Sequence, residues 1–265
     1  MTTIDEFIIT KEYKRFAEFC KVCRESRYIG LCYGPAGVGK SMSISHYANW
    51  DNVLKEIKPT LCPRDKISSD TKASHLDTVV YTPEITNSPS AIRNDIWNLV
   101  FRTNDLNAYI KEGVPISFLS QGSVKMVIID EADRLQPKSL EQVRDIYDQS
   151  HLAIILVGMP GIEKRLLRFP QLYSRIGFAH TYKTLSQEEV SFILQNHYKT
   201  LNMENPHDFS NEEAIAAIIR ITNGNFRLLH RLLKQATRVM EVNKLTFMSK
   251  EVIEAARECL VIGNI

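Results

Sequence analysis

The sequence has no apolar run that approaches the length of a membrane span, so no membrane partner is expected. Its first residues are mixed and acidic, with Asp5 and Glu6, and carry no signal-peptide pattern. A cytoplasmic protein is the expectation. Cysteine is sparse and odd in number, with five residues at Cys20, Cys23, Cys32, Cys62 and Cys259. That count argues against a disulfide framework. Cys20 and Cys23 form a C-x-x-C pair, but no second pair completes a zinc site. With Phe16 and Phe19 they follow a helical spacing that reads as ordinary packing. Internal repeats, coiled-coil heptads and low-complexity tracts are absent. Strong charge of one sign is absent too: 33 Lys and Arg stand against 31 Asp and Glu, for a net +2. Any surface for nucleic acid must therefore come from local placement of charge.

What remains is a chain of 265 residues, 44% hydrophobic and 24% charged, long enough for one large domain or a large and a small one. Its centre is Gly34-Pro35-Ala36-Gly37-Val38-Gly39-Lys40-Ser41, which fits the P-loop pattern G-x-x-x-x-G-K-[ST]. An apolar run from Tyr28 to Tyr33 precedes it and suits a buried strand. Met42, Ile44, Tyr47 and Ala48 follow it on a helix. Glycines let backbone N–H groups curl around phosphate oxygens, and the following helix points its positive end at them. In this pattern Lys40 reaches the β- and γ-phosphates and Ser41 ligates Mg²⁺.

About 90 residues on, Lys125-Met126-Val127-Ile128-Ile129-Asp130-Glu131 is an apolar strand ending in two acids. After a P-loop, the first acid helps to hold Mg²⁺. The second is suited to orient or activate the attacking water. Further strands are expected at 78–82, 152–158 and 178–182, separated by helical patterns, which indicates a parallel α/β sheet. A helix is expected at 11–27, and the strip 7–10 ahead of it reads either as a packing arm or as a contact for a nucleotide base. Ser88 or Ser90 caps a helix carrying Ile92, Ile96, Leu99 and Val100. Residues 51–77 read as a polar, irregular excursion and 103–122 as a mixed stretch with a short helix. From 185 onward only helices are expected. One opens on the capping-box pattern Ser186-Gln187-Glu188-Glu189, and others fall near 211–221, 226–242 and 249–260. The expected division is thus 1–184 for the nucleotide-binding α/β domain and 185–265 for a small all-helical domain.

Taken together, Gly-Pro-Ala-Gly-Val-Gly-Lys-Ser, Ile-Ile-Asp-Glu-Ala-Asp-Arg-Leu and the tail motif Gly-Asn-Phe-Arg-Leu-Leu resemble an AAA+ ATPase. Within that class the chain is most similar to the DNA-transposition regulators of the TnsC, TniB and MuB kind. The resemblance spans roughly residues 5–260 and makes 185–265 a lid domain. It implies Lys40 and Ser41 as the Walker A pair, and Asp130 and Glu131 as the Walker B pair. Arg175 stands where related ATPases place an arginine finger, with Arg165 and Arg168 as competitors. Arg227 matches the sensor-2 arginine. Gly158-Met159 departs from the polar sensor that normally follows the strand 152–158. The cofactors implied are ATP and Mg²⁺. The partners implied are double-stranded DNA, further copies of the chain in a ring or helical filament, a transposase and a target-selection protein. Ser90, Arg93 and Lys111 are the candidates for phosphate contact with DNA. The implied activity is ATP hydrolysis that dissolves a target-marking assembly. The alternatives are another AAA+ switch, such as a replication initiator or helicase loader, and a nucleotide-gated scaffold.

Overall fold

A computed structural model describes residues 7–57, 76–112, 122–197 and 209–260. Its contacts divide the chain into two compact units. The larger comprises Tyr13–Gly34 and Lys40–Tyr182; the smaller comprises Met1–Glu12, Pro35–Gly39 and Lys183–Ile265.

The larger unit is a five-stranded sheet with β1 (Ile29–Tyr33), β2 (Thr78–Tyr81), β3 (Met126–Ile129), β4 (Ala153–Gly158) and β5 (Ile176–Thr181). Their order is β2-β3-β4-β1-β5, and every pairing is parallel. Parallel strands bury both faces, which is why these segments are continuous apolar runs. β2, β3 and β4 are buried along their whole length. β5, at the edge opposite β2, is only partly covered. Helices connect the strands: α2 (Lys40–Ala48) and α3 (Trp50–Ile57) before β2, α4 (Pro89–Glu112) before β3, and α5 (Pro137–Gln149) before β4. Two short helices, α6 (Ile162–Leu166) and α7 (Pro170–Tyr173), lead into β5. Most of α1 (Lys11–Ser26) packs in this unit, where the ring of Phe16 lies 5.9 Å from that of Tyr182 and 6.3 Å from that of Tyr47. Cys20, Cys23 and Cys32 are thiols, not disulfides, buried in the same core. Burial pushes the Cys20 thiol well above its ordinary range and the Cys23 thiol up to about 12. Cys62 lies outside the described residues.

Two segments are more regular than the sequence suggests. The excursion expected at 51–77 begins as α3, because Trp50, Val53 and Ile57 share one buried face at helical spacing. Residues 58–75 lie outside the described residues. The mixed stretch from 103 onward continues α4 as one helix of 24 residues. Its core stripe runs Ile92, Ile96 and Val100, then passes through Thr103, Leu106 and Asn107. Polar residues at two core positions conceal the period. Asn107 bonds to other segments, its amide donating to the Leu76 carbonyl at 2.6 Å and to Ser123 Oγ at 2.5 Å. Asn104 accepts the Val124 N–H at 2.9 Å, so this end of α4 holds the entry to β3.

The smaller unit is helical: α8 (Gln187–His197), α9 (Phe209–Thr222), α10 (Phe226–Asn243) and α11 (Lys250–Glu258). Its core joins Ile8 and Leu185 to Ile193, Ile218, Leu229, Leu232, Leu233 and Ile253, among others. The strip 7–10 therefore contributes a packing residue, Ile8. The capping box forms, with Ser186 N–H donating to Glu189 Oε2 at 3.0 Å and Glu189 N–H to Ser186 Oγ at 3.2 Å. Gly224 turns the chain from α9 into α10 at φ +70°, and a Cβ there would meet the Leu185 carbonyl.

Candidate nucleotide site

In a parallel sheet the functional edge lies beyond the carboxyl ends of the strands. Three of the sequence features arrive there on neighbouring strands. β1 runs into Gly34 and the P-loop, β4 into Gly158-Met159, and β3 into Asp130-Glu131. β4 lies between the other two, so Gly34 and Asp130 stand two strand spacings apart, about 10 Å. That span suits the polyphosphate of a nucleotide.

Gly34 starts the loop in close quarters. Its N–H donates to the Gly158 carbonyl at 3.3 Å, and a Cβ would strike the Tyr182 carbonyl. Gly37 and Gly39 adopt φ +79° and +106°, the left-handed backbone that lets successive N–H groups converge. Pro35 and Ala36 are exposed, and Val38 is buried beneath the loop. Lys40 opens α2 and folds back, its Nζ donating to the Gly34 carbonyl at 2.5 Å and lying 4.0 Å from Met159 Sδ. Ser41 is exposed on the first turn of α2, available as an oxygen ligand. The described residues contain no group of three or more His, Cys, Asp or Glu that could hold a metal. Ser41 and Asp130 fit a hard cation that takes its other ligands from phosphate and water.

Asp130 N–H donates to the Tyr81 carbonyl at 2.9 Å, extending the β2–β3 ladder by one residue. The Asp130 side chain is 9% exposed, and its Oδ1 accepts the Glu131 N–H at 2.9 Å. Glu131 sits at φ 52°, a left-handed position that turns the chain out of the strand. Its carboxylate is ion-paired with Arg134, which also donates to the Pro83 carbonyl at 3.1 Å. The polar group that reaches the end of β4 is Asp133. Its Oδ2 accepts the Met159 N–H at 2.7 Å. A Cβ on Gly158 would lie 2.5 Å from the same oxygen, which explains why glycine occupies that position.

The arginines divide by environment. Arg165 is consumed locally, bonding the Asp133 and Leu135 carbonyls. Arg168 is exposed. Arg175 follows α7 and forms a bidentate pair with Asp148 at 2.5 and 2.8 Å. Asp148 also receives Arg144 at 3.0 Å. Arg227 is exposed on the first turn of α10, and its backbone N–H donates to the Gly37 carbonyl at 2.8 Å. Beside it, Asn225 Nδ2 donates to the Ala36 carbonyl at 2.8 Å. Of the DNA candidates, Ser90 pairs with Ser88, the residue whose Oγ accepts the Ala91 N–H at 3.2 Å. Arg93 faces Asp145 at 3.9 Å, so its charge is partly offset. Lys111 is in the last turn of α4, and its side chain lies outside the described residues.

Sequence reasoning missed Asp133, Arg134, Asp148 and Asn225. Asp133 and Arg134 carry a signal, adjacency to the acidic pair. So does Asn225, which heads an apolar-periodic helix and therefore reads as an N-cap. Asp148 has none, because its role depends on which helix packs beside α7.

Known proteins show the same organisation. The AAA domain family matches residues 23–166. A Staphylococcus aureus protein described as "Potential ATP-binding protein" is 43% identical over 272 residues, covering 99% of both chains. Among solved structures, a Thermotoga maritima RuvB mutant superposes with a TM-score of 0.59 at 16% identity, over 98% of this chain and 73% of that one. The Aeropyrum pernix ORC1 protein in complex with DNA superposes with a TM-score of 0.56 at 16% identity, over 95% of this chain and 65% of that one. At such identities the structures speak for the fold. Among the described residues no helix is long and apolar enough to cross a membrane. With a family match across more than half its length and a full-length relative, this chain belongs to the AAA domain family.

Proposed function

We propose that this protein is an ATP-dependent, DNA-binding AAA+ ATPase that assembles on duplex DNA and regulates transposition. One observation carries the nucleotide reading: the P-loop and the Asp130-Glu131 pair leave strands β1 and β3 at the same edge of the sheet, with Gly158-Met159 between them.

In this reading residues 1–184 form the nucleotide-binding domain and 185–265 the lid. Gly34 to Gly39 wrap the phosphates, Lys40 exchanges the Gly34 carbonyl for phosphate oxygen, and Arg227 acts as the sensor-2 arginine. Ser41 and Asp130 would hold Mg²⁺, which would offset the charge of the phosphates. Glu131 holds the attacking water and accepts its proton. Arg175 acts as an arginine finger toward the nucleotide of a neighbouring subunit, which makes hydrolysis a property of the assembly. Assembly into a ring or filament would mark target DNA and recruit a transposase, with a target-selection protein choosing the site. Hydrolysis would dissolve the mark.

Two solved structures of this fold are described as a Holliday junction branch migration motor and as a complex with DNA. The similarity of the sequence motifs to the TnsC, TniB and MuB group supports transposition. The test is titration calorimetry with ATP followed by electron microscopy on duplex DNA. The wild-type chain should bind ATP and form ordered assemblies with ATP but not ADP. Lys40→Ala removes a charge-assisted phosphate contact and should weaken ATP on the order of a hundredfold. Unchanged ATP affinity in that variant would remove the P-loop assignment.

A further inference from the structure

Asn225 uses both ends of its amide. Its Oδ1 accepts the Leu228 N–H at 3.1 Å and caps α10. Its Nδ2 donates to the Ala36 carbonyl in the glycine loop at 2.8 Å. Two residues on, the Arg227 N–H donates to the Gly37 carbonyl, also at 2.8 Å. These residues all belong to the smaller unit. An N-cap needs only an acceptor, and Ser, Thr or Asp would serve. An amide gives the helix an acceptor from one atom and the loop a donor from another, whereas a hydroxyl has a single, shorter-reaching oxygen for both.

Peptide planarity turns these two contacts into an orientation of the loop. In a trans peptide the carbonyl and the following N–H point in opposite directions, and the described backbone contains no cis bond. Holding the Ala36 carbonyl toward α10 therefore turns the Gly37 N–H the other way. Holding the Gly37 carbonyl does the same for the Val38 N–H. In a P-loop these are the N–H groups that receive phosphate oxygens. The approach is close enough to require glycine. A Cβ on Gly37 would lie 2.6 Å from Asn225 Oδ1 and 3.0 Å from the Arg227 Cβ.

We propose that Asn225 is a positioning residue that presets the P-loop for the phosphates of a nucleoside di- or triphosphate. It touches no phosphate itself. It acts by fixing the carbonyls behind the loop before ligand arrives, so that binding does not have to order them. The inference rests on the nucleotide reading of the P-loop given above.

The test compares Asn225→Asp, Asn225→Ser and Asn225→Ala in the full chain, by calorimetric titration with ADP and by thermal melting without ligand. Asp keeps the cap but has no donor for Ala36, and Ser keeps the cap with a single hydroxyl that ends one bond short of the amide nitrogen reaching Ala36. Both should melt with the wild type and bind ADP about tenfold more weakly. Ala loses both contacts and should melt lower as well. Wild-type ADP affinity in the Asp and Ser variants would overturn the proposal, even if Ala binds poorly. So would a fall in their unliganded melting temperature as large as that of Ala, which would make the residue structural. If the wild-type chain binds no ADP, the nucleotide reading itself fails. If the wild type binds and the variants match it, only the role of Asn225 fails.

Discussion

Arg175 is held by Asp148 through two parallel bonds, Nε to Oδ1 at 2.5 Å and Nη2 to Oδ2 at 2.8 Å. The pair is about one-third exposed on each side. Pairs of that kind contribute about 1 kcal/mol or less. A phosphate from a neighbouring subunit would offer the same guanidinium charge-assisted, bidentate bonds. Under the proposed finger role, the pair would be a resting position that assembly displaces.

The proposed finger makes a prediction in which Asp148 serves as the control. Arg175→Ala should lower the turnover of assembled protein roughly a thousandfold while isolated subunits still bind ATP. Asp148→Asn should leave turnover intact, because it frees the finger instead of removing it. Mixing Arg175→Ala with Lys40→Ala protein should restore part of the activity, since hybrid interfaces bring an intact loop to an intact finger. Steady-state hydrolysis of the mixtures checks this. Equal losses in Arg175→Ala and Asp148→Asn would make the pair merely structural.

Glu131 pairs with Arg134 through Oε2, and the proposed role asks the same carboxylate to accept a proton from water. Glu131→Gln keeps the size of the side chain and removes the base. It should retain ATP and slow single-turnover hydrolysis by about 10²- to 10⁴-fold. A rate equal to that of the wild type would assign the base elsewhere.

Gly158 leaves room for Asp133 and Ile162: a Cβ there would lie 2.5 Å from Asp133 Oδ2 and 2.7 Å from Ile162 Cδ1. Gly158→Ala should destabilise the chain by about 1–3 kcal/mol through overpacking. Urea unfolding measures it directly. A neutral result would mean that Asp133 swings aside without cost.

The legible parts of this fold were those written in local chemistry. The parallel sheet showed in its apolar runs, and the loop after β1 in the spacing of three glycines, Lys40 and Ser41. α4 was legible only as far as Val100, because Thr103 and Asn107 occupy core positions, and Asn107 there bonds to other parts of the chain. α3 was overlooked because its eight residues carry only three buried side chains among polar ones. At the site, the residue types of the P-loop and the acidic pair could be read from sequence alone. The Arg175–Asp148 pair could not, since 27 positions separate its members and only the packing of α5 beside α7 joins them. The contact of Asn225 with Ala36 spans 189 positions. Its cap half was readable from the helix start, and its loop half was not.

The central claim is that nucleotide controls DNA binding, and fluorescence anisotropy on duplexes of unrelated sequence tests it most directly. A net charge of +2 gives one subunit little attraction for DNA. In the proposed assembly, affinity comes from several subunits that ATP aligns, each adding a few phosphate contacts. Binding should require ATP, be cooperative in protein, differ little between sequences and fall steeply with salt. Arg93→Ala and Lys111→Ala should weaken all duplexes alike and flatten the salt slope. Equal binding with ATP, ADP and no nucleotide, or no binding in any of the three, would contradict the account.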